Sequence, residues 1–116
     1  MQFCGLIRFI SLHAEHKSRT CVIRRGLVTS SSGRLSEGEE VIVKLMKDEV
    51  QFAREIEMRA GLADDSVVTI AASSDDEQLR ERWASDAAKH GYAEYPHGIV
   101  MKAAQRNLMV ILVRRV

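Results

Sequence analysis

The sequence predicts an α+β domain in which a small antiparallel sheet packs against a helix. Two runs rich in β-branched residues, 21–29 (CVIRRGLVT) and 40–46 (EVIVKLM), flank the Ser/Gly-rich stretch SSSGRLSEGE, the composition of two strands joined by a long polar connection. Over 48–62 (DEVQFAREIEMRAGL) the apolar period changes to that of a helix. Two further strand-like runs, 66–72 and 98–104, then enclose a second helical stretch.

Residues 1–12 (MQFCGLIRFISL) are apolar, but Arg8 splits the run and neither a basic leader nor a small-residue cleavage site frames it. The run falls well short of the ~20 residues that span a bilayer, so it reads as a buried strand or an end without a structural role. His13 and His16 have no carboxylate or thiol cluster beside them and read as two surface histidines. In the second hairpin strand the side chains alternate. Val41, Val43 and Leu45 face one side, and Ile42, Lys44 and Met46 the other, so Lys44 projects from a largely apolar face. On the helix over 48–62, Phe52, Ala53, Ile56 and Ala60 share one side, Met58 and Leu62 extend the apolar arc on the other, and Glu55 and Arg59 lie between them. Ser74 with Glu77 has the spacing of a capping box ahead of a helix over 75–90, with Leu79, Trp83 and Ala87 as its buried stripe and Gly91 as its C-cap. After Pro96 the run 98–104 (GIVMKAA) reads as a strand, and an apolar run at 108–113 could begin another helix.

With 116 residues the chain has room for one small domain, and 46% apolar with 28% charged residues is an ordinary globular composition. The 17 basic and 16 acidic residues leave a net charge of +1, which gives no bulk field for nucleic acid or an anionic membrane; neither is expected as a partner. Arg24 with Arg25 and Arg114 with Arg115 lack interleaved aromatics and read as solvated edges. Cys4 and Cys21 make neither a disulfide framework nor a metal-ligand array, so no metal site is expected and the compartment expected is the cytoplasm or nucleus.

The order of elements and several words of sequence resemble the eukaryotic protein kinase domain, from the N-lobe through the hinge only. Val41-Ile42-Val43-Lys44 is similar to the V-A-I-K strand, and Phe52-Ala53-Arg54-Glu55-Ile56 to the helix αC segment. Val67-Val68-Thr69-Ile70 resembles the fourth strand. Ile99 to Ala104 resembles the fifth strand running into the hinge, and Arg106-Asn107-Leu108 the start of the next helix. The resemblance implies a kinase-like N-lobe, a small antiparallel sheet with an αC-type helix and an inserted helix between the fourth and fifth strands. It divides the chain into an N-terminal extension of unassigned structure, 1–20, and a partial kinase-like domain, 21–116.

The resemblance also implies roles. Lys44 would contact the α and β phosphates of ATP, held by Glu55, and these two are the catalytic candidates. Val43, Lys44, Met101, Lys102 and Ala104 are the ATP-binding candidates, with Met101 at the gatekeeper position, and ATP with magnesium is the ligand implied. Nothing after Leu108 supplies the H-R-D loop, D-F-G or A-P-E, residues 1–25 contain only Gly5 and so no G-x-G-x-x-G lid, and Ile42 stands where the family has alanine. The expectation is therefore a partial domain derived from an ATP-dependent serine/threonine kinase and inactive as this chain. The alternatives are a catalytically inactive kinase-like module that binds another protein through an exposed apolar face, and a truncated gene product.

Overall fold

The structure, a computed structural model, describes residues 2–10, 14, 16–60 and 70–102. In chain order the elements are β1 (Ile7–Phe9), β2 (His16–Lys17), β3 (Cys21–Val28), β4 (Glu40–Met46), α1 (Glu49–Ala60), β5 (Ile70–Ser73), α2 (Glu77–Lys89) and β6 (His97–Lys102). The strands form one six-stranded sheet in the order β1-β3-β4-β6-β5, with β2 pairing β3 beside β1. Every pairing is antiparallel, so the fold is α+β.

The β3–β4 hairpin has the register expected of two alternating strands, with Ile23 opposite Lys44 and Gly26 opposite Val41. Its connection is less polar in space than in sequence. Ser32 and Leu35 exchange backbone hydrogen bonds, and Leu35 is buried in the core.

The sheet divides the core into two layers, because successive residues of a strand face opposite ways. Val41, Val43 and Leu45 of β4 pack with Val22 and Val100, under Leu79, Trp83 and Ala87 of α2. Ile42 and Met46 pack on the other side with Cys21, Ile23, Ile99 and Met101, under Phe52 of α1. The first layer is closed by residues near the N-terminus: Phe3 meets the Trp83 indole edge-on, with ring centroids 4.8 Å apart, and Cys4 and Ile7 are buried beside it. Residues 3–9 of the apolar N-terminal run are thus part of the sheet and its core.

Several local expectations need correcting. Helix α2 starts after Asp76, not at a Ser74 cap: the Ser74 hydroxyl instead accepts the Gly98 N–H at 3.0 Å and pins the helix entry to β6. On α1, Met58 is 49% exposed and Ala53 is exposed as well, so the buried stripe is narrower than the apolar arc suggests and centres on Phe52, Glu55 and Ile56. Arg24 is buried, not solvated; its guanidinium lies 4.1 Å from the centroid of the Phe9 ring and donates to the Tyr92 hydroxyl at 2.8 Å. The start of the strand expected at 66–72, the end of that at 98–104, and Leu62, Arg106, Asn107 and the apolar run 108–113 lie outside the described residues.

Candidate functional site

The Lys44–Glu55 pair is built by a sharp reversal of the chain. Strand β4 ends at Met46, and Asp48 caps α1 by accepting the Val50 N–H at 2.9 Å. Glu55 then lies about two turns, ~10 Å, along the helix. Lys44 lies two residues, ~7 Å, back from the end of the strand. A helix folded straight back over its own strand therefore sets the two side by side, and the flexible lysine stem closes the remaining gap. Phe52, stacked on the His97 ring at 5.4 Å, fixes the roll of α1 that turns Glu55 inward.

Lys44 Nζ donates to Glu55 Oε1 at 2.7 Å, with the lysine side chain fully enclosed and the glutamate 5% exposed as a residue. The cross-strand neighbours of Lys44 are Ile23 and Ile99, so the ammonium sits in an apolar layer. Two desolvated charges in such a setting are held by their mutual contact and by what hydrogen bonds surround them. The pair fixes a positive charge at one point and α1 at one distance from the sheet.

The other candidates divide between the two faces. Met101 pairs with Ile42 and lies in the same core layer, on the Lys44 side. Val43 pairs with Val100 in the opposite layer, and the Lys102 ammonium reaches Glu39 at 3.5 Å. Ala104 lies outside the described residues. Beside Lys44 the Ile42 side chain is fully buried, filling the position where the resemblance places an alanine.

Cys21 was not singled out by the sequence for this site. It shares the Lys44 layer, and its thiol is pushed up, first by burial, against the pull of the Lys44 charge and a hydrogen bond from Ser18, and with a further push from Glu55. Only the alternation of β3 places it there, two residues before Ile23. Among the described residues no group of three or more His, Cys, Asp or Glu could hold a metal ion, and no helix is long and apolar enough to cross a membrane.

On the far side of the sheet a second polar group lies among aromatic rings. Asp86 of α2 accepts the Cys4 N–H, Arg24 lies over Phe9, and the His90 ring stands 5.0 Å from Phe9 and 6.0 Å from Phe3. These partners are far apart in sequence, and no local motif announces them. No family model, no curated protein and no solved structure matches the chain.

Proposed function

We propose that this chain is part of a protein-kinase-like domain, the N-lobe of an ATP-dependent serine/threonine kinase, inactive in phosphoryl transfer on its own. The observation that supports this reading is the Lys44–Glu55 contact at 2.7 Å between a strand and the helix that follows it. In such a site the lysine presents its charge to the phosphates of Mg-ATP, and the glutamate is a positioning residue that keeps the flexible stem from folding away. Met101, on the same face, would meet the base.

One feature favours a second reading, a kinase-like module that serves protein interaction without nucleotide. Lys44 is fully enclosed and Ile42 occupies the space beside it, so a nucleotide would have to displace packed side chains to reach the ammonium. Calorimetry of the intact chain with Mg-ATP separates the two, with Lys44→Met as control and circular dichroism to establish that both proteins fold. Saturable binding by the parent chain, lost in the variant, is the expected result. A folded parent chain that gives no heat with Mg-ATP overturns the nucleotide reading and leaves the interaction module.

A further inference from the structure

We propose that residues 3–9 form an acid-releasable strap, clasped to the C-terminal end of α2 through the His90 ring. This inference does not depend on the nucleotide reading, since it concerns the opposite face of the sheet.

The strap is a separable piece of structure. Strand β1 is three residues long and lies at the sheet edge, paired to β3. It is preceded by a turn at Cys4 and Gly5, whose φ angles of 55° and 68° are both left-handed. Detaching it breaks no pairing between other strands. It is held on one side by β3, through the Ile7–Phe9 pairing, the Thr29 N–H on the Leu6 carbonyl and Arg24 over Phe9, and on the other by α2: Phe3 against Trp83, the Cys4 N–H on the Asp86 carboxylate, and Phe3 and Phe9 against His90.

His90 is poorly placed to carry a charge. Its Nε2 is buried with no hydrogen-bond partner among the described residues, so a proton added there would be a buried donor without an acceptor. The charged groups that face it pull both ways. Arg24, reaching across from β3, disfavours the proton, whereas Asp86 on α2 and a hydrogen bond with the Gln2 backbone favour it. Asp86 already accepts the Cys4 N–H and lies 3.8 Å from the Lys89 ammonium. Burial outweighs the rest and holds the imidazole below its ordinary range. Opening the strap removes that burial, so acid favours the open form and uncovers Phe3 and the Trp83 edge.

The two cysteines make the test specific. Cys4 is on the strap, and Cys21 is buried on the other side of the sheet. The intact chain is pulsed with 4,4′-dithiodipyridine, which modifies thiols in acid, between pH 7.5 and 5, and each site is quantified by mass spectrometry. Divided by the labelling rate of a free peptide carrying Cys4 at the same pH, Cys4 labelling should accelerate below about pH 6.5, by up to about tenfold per pH unit, while Cys21, referred to its own free peptide, stays protected. The free-peptide reference removes the fall in thiolate content with acid, which would otherwise offset the opening. In His90→Phe and in His90→Gln the acid response of Cys4 should disappear. Cys4 and Cys21 responding together, or a Cys4 response surviving in both variants, overturns the proposal.

Discussion

Glu55→Gln removes a charge while leaving the Lys44 ammonium buried, so it should cost about 3–5 kcal/mol in urea unfolding, the toll of stranding one member of a buried pair. Replacing both partners by apolar residues of similar volume, Lys44→Met with Glu55→Leu, should come within about 1 kcal/mol of the parent or exceed it, because no desolvated charge remains. A double variant as damaged as Glu55→Gln would mean that the ion pair itself contributes the stability. Gly98 is a second sensitive point. A Cβ there would run into the Trp83 indole and come within 2.5 Å of the Lys44 carbonyl oxygen. Gly98→Ala should therefore cost about 1–3 kcal/mol by overpacking, read as a lower urea midpoint and a shifted Trp83 emission.

At the scale of elements, the ends of the helices carry distinct predictions. The C-terminus of α2 closes as a Schellman motif: Gly91, at φ 85°, donates to the Ala88 carbonyl, and Tyr92 donates to that of Ala87. Gly91→Ala should cost about 1 kcal/mol through the left-handed backbone, and Asp48→Ala about the same through the lost cap of α1; thermal melts of the two variants check both. Much of this was legible in the sequence. The hairpin, the alternation on β4, the Leu79, Trp83 and Ala87 stripe and the Gly91 stop depend on periods and on residues with one strong local preference. The meeting of Lys44 and Glu55 follows from the same local geometry, a strand turning directly into a helix. What escaped reading depends on distant partners. Arg24 is buried because Phe9 and Tyr92 come to it from other elements, and Ser74 is drawn from its expected cap by Gly98 on β6. The sequence likewise gives no measure of how little of α1 the sheet covers, which leaves Met58 largely outside.

For the molecule as a whole, one partly buried and one buried titratable group, His90 and Cys4, limit stability at both ends of the pH scale. His90 is held below its ordinary value, so its contribution is complete above about pH 6.5 and is lost as the pH falls through the folded value. Cys4 is pushed up to about 12, first by burial and then by the Asp86 carboxylate, against the pull of Arg82. Its contribution is complete below pH 9 and is lost as the pH rises toward 12. Urea midpoints taken across that range should form a plateau from about pH 7 to 9 that declines on both sides, and His90→Phe should flatten the acid side only. The place of β6 carries a consequence for how the chain comes together in time. Although last among the described strands, it is inserted between β4 and β5, with Lys102 opposite Val41. The hairpin can zip early from local contacts, but the sheet acquires its interior only when β6 arrives, after a long loop closure whose entropy sets the pace. Until then β4 presents an open edge beside Lys44, and a nascent chain halted before His97 would offer that edge to any other strand within reach.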